Sequence, residues 1–315
     1  MISVENTHPI NGHIAIIGCG LIGQSWTALF LFHGHDVTAW DPDPAIRAGL
    51  TKAVKRPMEQ LAELGQGAAR PGRLTVSDTV EEAVANAMLV QENAPEHLPL
   101  KQALYAQVEG AIGPEVIIAS STSSLTWSAL SEGMKRPSRL ITAHPFNPPH
   151  LMPLVELFGS ESTILDRATE IYTGLDRHCV RLRKDATGHI ANRLASALWR
   201  EAVNIVAEGI ADVADVDAAL VHGPGLRWSV VGAHMAYHLG GGEGGMAHYL
   251  SHLGPSQERR WATLGNPRLT PDVCAELIAG IQAEAAGRGI PELEADRDAR
   301  LIAALKAREA LNADA

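Results

Sequence analysis

His13-Ile14-Ala15-Ile16-Ile17-Gly18-Cys19-Gly20-Leu21-Ile22-Gly23 is the stretch on which the fold turns. Residues 13–17 are apolar and mostly β-branched, the composition of a buried strand. Glycines follow at once in the spacing GxGxxG, and residues 24–33 carry a helical apolar pattern closed by Gly34. Asp36-Val37-Thr38-Ala39-Trp40 reads as a second strand, with Asp41 at its end. Glycines at this spacing let the main chain approach a diphosphate, which then sits on the N-terminus of the helix. A carboxylate ending the second strand bonds the adenosine ribose and repels a 2′-phosphate, so the pattern points to NAD rather than NADP. Gly18, Gly20, Leu21, Ile22, Gly23 and Asp41 are the candidate cofactor residues. Arg47, on the following helix, is expected to lie too far from Asp41 to neutralise it.

Working outward, strands and helices alternate. Residues 45–64 are helical, with Pro57 as a break or a new start, and a loop follows over 65–72. Residues 73–76 read as a strand, and Thr79 with Glu82 as a capping box. A strand over 87–91, a loop over 92–96, a helix over 97–110 and a strand over 116–119 come next. The hydroxyl-rich run Ser120-Ser121-Thr122-Ser123-Ser124 is expected to cap the helix after it. Two strands, 139–143 and 151–157, flank a proline-rich turn, and a helix over 163–177 leads to a last strand from Cys179 to Arg183. Beyond the polar link 184–188 only helices are expected, over 189–209, 213–221 and 270–310, with a turn over 222–225. The fold class is α/β: a Rossmann-type doubly wound sheet over residues 1–186, then an all-α domain over 187–315.

A chain of 315 residues, 46% hydrophobic and 20% charged, can bury two cores. A net charge of −10 without a Lys/Arg cluster argues against a nucleic-acid partner. No apolar run is long enough to span a membrane, and the first residues lack the pattern of a secretory leader. Cys19, Cys179 and Cys274 are far apart and read as free thiols of a cytoplasmic protein. The histidines form no HExxH or similar set, so no metal is expected.

The turn between the paired strands carries the chemistry. His144 sits at the end of one strand, in His-Pro-Phe-Asn-Pro, and Glu156 lies inside the next. If the strands are neighbours, Glu156 reaches one imidazole nitrogen and leaves the other facing a cleft, the base-plus-orienter arrangement of acid–base catalysis. The competing reading is a turn histidine beside a strand glutamate.

The ordered motifs GxGxxG, Ser-Ser-Thr-Ser-Ser-Leu, His-Pro-Phe-Asn-Pro, Leu-Val-Glu and Gly-His-Ile-Ala-Asn-Arg-Leu resemble the 3-hydroxyacyl-CoA dehydrogenase superfamily. The resemblance runs from about residue 12 to 260. Gln91-Glu92-Asn93-Ala94-Pro95-Glu96, Leu198-Trp199-Arg200-Glu201-Ala202 and Gly225-Leu226-Arg227-Trp228-Ser229 are most similar to its carnitine 3-dehydrogenase branch, with the λ-crystallin/gulonate 3-dehydrogenase branch next. It implies His144 as catalytic base, Glu156 as its orienter, Ser123 on the substrate oxygen and Asn192 holding substrate and base. It also implies Glu92 and Ala94 near the nicotinamide ribose. His97 falls where acyl-CoA members carry a cofactor-binding lysine, and Ser121 where many carry asparagine. The implied chemistry is NAD-dependent oxidation of the 3-hydroxyl of a small β-hydroxy acid, in a homodimer.

Within that chemistry carnitine, gulonate and a 3-hydroxyacyl-CoA stay open. No basic patch suited to CoA phosphates stands out. A quaternary ammonium has no N–H and is recognised on aromatic faces. Trp199, Trp228 and Tyr237, with Tyr249 and Trp261, concentrate in the second domain, and Phe146 lies beside the base; for any one of them a core anchor or dimer contact is the favoured reading, and a cage rests on the group. Arg193 and Arg227 are candidate carboxylate partners. A non-enzymatic, λ-crystallin-like role is the rival from another class, although such a chain need not keep Ser123, His144, Glu156 and Asn192 together.

Overall fold

A computed structural model describes residues 12–65 and 67–313. The first eleven residues, where the leader pattern was sought, lie outside the described residues. The chain divides into two compact units, one ending at Asn192 and one beginning at Arg193.

The first unit is built around β1 (His13–Ile17), with α1 (Leu21–Phe32) and β2 (Val37–Trp40) completing the opening βαβ turn. It continues with α2 (Pro44–Ala53), α3 (Lys55–Leu64), β3 (Leu74–Val76), α4 (Val80–Val84), β4 (Ala87–Glu92) and α5 (Leu98–Ala111). Then come β5 (Ile117–Ser120), α6 (Trp127–Leu130), β6 (Leu140–Pro145), β7 (Leu154–Phe158), α7 (Ser162–Thr173) and β8 (His178–Arg181). The strands form one sheet in the order β3-β2-β1-β4-β5-β6-β7-β8. All neighbouring pairs are parallel except β6 and β7. The order reverses direction at β1 and β4, so the ends of those strands open the crevice where α/β sheets bind ligands.

Alternation along β1 explains the two cores. Ile14 and Ile16 pack with Trp26, Leu29 and Phe30 on one face. Ala15 and Ile17 pack with Tyr105, Val108 and Leu130 on the other. Parallel strands covered on both faces read as continuous apolar runs, which is why β1 stood out in the sequence.

Several expected boundaries move for local reasons. The helix over 45–64 breaks at Val54, ahead of Pro57. The strand expected from residue 151 starts at Leu154, because the N–H groups of Leu151 and Met152 donate to the Pro148 carbonyl. Thr79 caps α4 through the Glu82 N–H, but the Glu82 carboxylate accepts from Asp78 rather than closing the box on Thr79.

The second unit is helical: α8 (Ala191–Ala207, beginning in the first unit), α9 (Val213–His222), α10 (Pro224–Trp228), α11 (Ala233–Gly240), α12 (Gly245–Trp261), α13 (Pro271–Ala285) and α14 (Ile290–Ala313). The turn expected over 222–225 is shorter, since Pro224, with φ already helical, opens α10. Thr270 caps α13 through the Val273 N–H. Val203, Val206 and Ile302 are among the few buried apolar side chains here, whereas Leu194, Trp199, Ile210, Leu226, Val230 and Trp261 are exposed. No helix among the described residues is long and apolar enough to cross a membrane.

Candidate active site

The glycine turn leaves space where a diphosphate needs it. Gly18 has φ +87°, and a Cβ there would stand 2.8 Å from the Asn93 carbonyl. A Cβ on Gly23 would collide with the Gly18 carbonyl oxygen, so that glycine lets α1 close on the turn. Gly20 has nothing within 4 Å of an added Cβ, and it caps α1 without any side-chain hydrogen bond. Leu21 and Ile22 follow as its first turn. An uncapped helix start beside an open glycine fits an anionic diphosphate.

Asp41 is buried at the end of β2. Its Oδ2 accepts from the Cys19 N–H at 2.7 Å and its Oδ1 from the Asp43 N–H at 2.9 Å. Burial first, and then the Asp41 charge, push the Cys19 thiol up to about 12, so it stays protonated. Arg47 lies on α2, as expected; its guanidinium folds back to donate to the Asp41 main-chain carbonyl oxygen at 2.7 Å and pairs with the Asp78 carboxylate at 3.5 Å. The reach of an arginine side chain spans the helical turn that separates the two backbones.

Glu92, at the end of β4, is 1% exposed and turns its carboxylate into the domain. Oε1 accepts from the Ala94 N–H at 2.6 Å and from Lys101 Nζ at 2.7 Å. Oε2 accepts from the hydroxyls of Tyr105 at 2.5 Å and Ser120 at 2.8 Å. Lys101 also donates to the Ala94 carbonyl at 3.0 Å. A carboxylate this heavily bonded is a structural anchor of the β4 end. His97, exposed, caps α5 by accepting from the Leu100 N–H at 3.3 Å.

The hydroxyl run after β5 does not cap the next helix; Thr126 does, accepting from the Ala129 N–H. The run is gathered instead by Glu96, which sequence reasoning passed over as a site residue. Ser121 lies apart, donating to the Asn93 carboxamide oxygen at 2.7 Å and accepting from Gln91 at 2.9 Å.

His144 and Glu156 are direct cross-strand partners in the antiparallel β6–β7 pair. His144 Nδ1 lies 2.9 Å from Glu156 Oε2, and the two residues are 5% and 0% exposed. The other carboxylate oxygen accepts from the N–H groups of Ile190 at 2.8 Å and Ala191 at 3.0 Å, at the start of α8. Burial opposes the charge of Glu156, but the His144 hydrogen bond and then these N–H groups outweigh it and hold the pKa below the ordinary carboxylate value. An ionised Glu156 accepts only, so in the neutral ring Nδ1 carries the proton and Nε2 presents a lone pair. Asn192 Nδ2 stands 3.5 Å from that nitrogen and donates to the Ser123 carbonyl at 3.2 Å. Phe146 meets the His144 ring edge-on at 6.1 Å.

A second imidazole was missed. His189 is 2% exposed, has φ +49°, and its ring centroid is 4.9 Å from that of His144. Its Nε2 bonds the Thr122 carbonyl at 3.1 Å, and burial lowers its pKa, keeping it neutral. The only signal in the sequence was a polar residue between Gly188 and an apolar helix start. These bonds to Thr122, Ser123 and Glu156 tie residues 189–192 to the first unit, which ends at Asn192.

The structure places Arg193, Trp199, Arg227, Trp228 and Tyr237 in the second unit. Tyr237 pairs with Tyr249, ring centroids 5.1 Å apart, and its hydroxyl accepts from Gln257 at 3.4 Å. Trp199 is 57% exposed and Trp228, ending α10, 36%. Among the described residues neither joins another ring.

The family models match over both units. Residues 13–186 match the 3-hydroxyacyl-CoA dehydrogenase NAD binding domain, and residues 188–266 the C-terminal domain of the same family. The chain belongs to the 3-hydroxyacyl-CoA dehydrogenase family. It is therefore an NAD-dependent dehydrogenase, and the glycine turn and Asp41 fit that cofactor. An L-carnitine dehydrogenase of Streptomyces coelicolor is 43% identical over 98% of this chain and 96% of its own length. Another, from a Pseudomonas species, is 41% identical over 93% of this chain and 92% of its own. Among solved structures, 5-formyl-3-hydroxy-2-methylpyridine 4-carboxylic acid 5-dehydrogenase, an NAD+ dependent dismutase, superposes with TM-score 0.80 at 27% identity, over 95% of this chain and 99% of that one.

Proposed function

We propose that this chain oxidises the 3-hydroxyl of L-carnitine to the ketone with NAD. The observation that carries the reading is the His144–Glu156 cross-strand pair with Asn192 at its outward nitrogen, in a chain whose relatives at 41–43% identity are named for carnitine. His144 takes the hydroxyl proton on Nε2, and Glu156 stabilises the imidazolium that forms. NAD, when bound, accepts the hydride from the carbinol carbon. Ser123 and Asn192 donate to the oxygen as it becomes a carbonyl. Gly18, Gly20, Leu21, Ile22 and Gly23 receive the diphosphate, and Asp41 the adenosine ribose. Ala94 and His97 lie on the crevice loop after β4, with Glu92 anchoring it from inside.

A trimethylammonium group calls for aromatic faces, for which Trp199, Trp228 and Tyr237 of the helical unit and Phe146 of the first unit are the candidates, and a carboxylate for a guanidinium, Arg193 or Arg227. Residues 1–186 serve the cofactor, and residues 187–315 serve substrate and dimerisation. Exposed Leu194, Ile210, Leu226 and Val230 supply the apolar area that a homodimer would cover. Three unpaired cysteines accord with a cytoplasmic location. The test is NADH formation from L-carnitine, L-gulonate and 3-hydroxybutyryl-CoA, each with NAD and with NADP. Turnover of carnitine with NAD is the expected result; faster turnover of either rival removes carnitine as the substrate.

A further inference from the structure

A single carboxylate oxygen organises the loop that carries Ser123. Glu96 Oε1 accepts from the Thr122 hydroxyl at 2.7 Å, from the N–H groups of Ser123 at 2.8 Å and Ser124 at 2.7 Å, and from the hydroxyls of Ser123 at 3.2 Å and Ser124 at 3.0 Å. Its Oε2 lies 3.9 Å from Lys101 Nζ. Lys101, 1% exposed, is bonded to Glu92 at 2.7 Å. A chain of contacts therefore runs from the end of β4 through Glu92, Lys101 and Glu96 to Ser123.

Other contacts hold the rest of the loop: the Ser121 N–H donates to the Glu92 carbonyl at 2.8 Å, the Leu125 N–H to the Thr122 hydroxyl at 3.0 Å, and His189 Nε2 bonds the Thr122 carbonyl at 3.1 Å. Residues 121–126 belong to no helix or strand, so no ladder fixes where Ser123 stands. Its N–H and O–H are both on Glu96, and its carbonyl accepts from Asn192 at 3.2 Å. Because the Ser123 proton points at Glu96, the hydroxyl must turn to donate to a forming carbonyl oxygen. When it turns, Glu96 keeps its other four donors, so the carboxylate is not left without partners. With those donors and Lys101 offsetting the cost of burial, Glu96 is held down to about 2 and stays ionised throughout the range in which the base works.

We infer that Glu96 is a positioning residue for the reaction: it fixes the loop after β5 so that the Ser123 hydroxyl stands where the carbonyl oxygen forms. This rests on the role given to Ser123 above. Glu96 comes from the loop after β4 and Ser123 from the loop after β5, so the carboxylate ties two crevice loops together.

The test is a double-mutant cycle on the full chain, read as kcat on the hydroxy acid it turns over. Ser123→Ala is expected to lower kcat on the order of 10²-fold, the scale of one lost oxyanion donor. Glu96→Gln is expected to lower kcat by about 10- to 100-fold, the scale of a sub-ångström to 1 Å misplacement, with KM changed far less. In the double variant Glu96→Gln adds less than about twofold, because the hydroxyl it positions is gone. Glu96→Asp keeps the charge but not the reach, and carries the same cycle if the glutamine variant fails to melt cooperatively. If Ser123→Ala alone leaves kcat unchanged, the role of Ser123 falls and the inference with it. If Ser123→Ala slows turnover but the Glu96 effect adds in full, or if Glu96→Gln costs nothing, only the positioning role is overturned.

Discussion

His144 and Glu156 stand opposite each other on neighbouring strands, whereas Ser123 stands on a loop with no ladder. The first pair owes its 2.9 Å contact to backbone register, since cross-strand partners have adjacent Cβ atoms whatever their side chains. The serine owes its place to side-chain acceptors, chiefly one oxygen of Glu96. The difference teaches that one site can be built in two ways. A group on a strand keeps its position when a neighbouring side chain is lost, and a group on a loop does not.

The largest effect is expected where the strand-held group is itself removed. His144→Ala should lower kcat on the order of 10²–10⁴-fold, the range of a lost general base, while NADH still binds because the ladder is main chain. Near-normal turnover by a folded variant that binds NADH would rule out His144 as the base. Oxidation needs the neutral ring and ketone reduction the protonated one, so the two directions should have opposite pH slopes in the parent enzyme.

Glu156→Gln probes the same strand with position kept and charge removed. The glutamine oxygen can still accept from Ile190 and Ala191, but the imidazolium loses its ionic partner. Turnover should fall by about 10²-fold with little change in melting temperature. A large drop in melting temperature instead would mean that the carboxylate, and not the ladder alone, holds the strand pair together.

Trp228→Ala carries the comparison into the helical unit, where the aromatic side chains are held neither by a ladder nor by a carboxylate. KM for carnitine should rise about tenfold, the scale of a desolvated cation–π contact, with the affinity for NADH unchanged. An unchanged KM in a folded variant takes Trp228 out of the ammonium site.

The smallest effect is on acid stability. The pKa of Glu96 is depressed in the folded state, from an ordinary 4.5 to about 2, so its stabilising contribution is complete above 4.5 and lost as pH falls towards 2. Glu156 is depressed too and acts in the same direction. The stability difference between parent and Glu96→Gln, from denaturant melts at a series of pH values, should narrow over that window. A difference independent of pH there would mean that the charge of Glu96 contributes nothing to the loop.

Much of this was legible in the residues themselves. β1, the glycine turn and Asp41 were readable because a buried parallel strand is an unbroken apolar run and because a tight phosphate turn admits only glycine at certain positions. His144 and Glu156 could be named as partners, conditional on two strands being neighbours. Lys101 left a trace that was not read: it occupies the buried stripe of α5 with Leu104, Tyr105 and Val108. A lysine in an apolar register announces a buried partner, here Glu92.

What the chain determined by itself was therefore whatever rests on local periodicity and short spacing: the alternation of strands and helices, the dinucleotide turn, and His144 with Glu156 as a candidate pair. Only the tertiary structure decided that β6 and β7 run antiparallel in the register that opposes His144 to Glu156, that Arg47 folds back onto the Asp41 carbonyl, that His189 packs on His144, and that Glu96 bonds the serine loop. The physical reason is common to all four. Each depends on where a side chain's donors and acceptors find partners far away in the chain, and a carboxylate or imidazole does not show in its own neighbourhood which distant hydrogen bonds it will make.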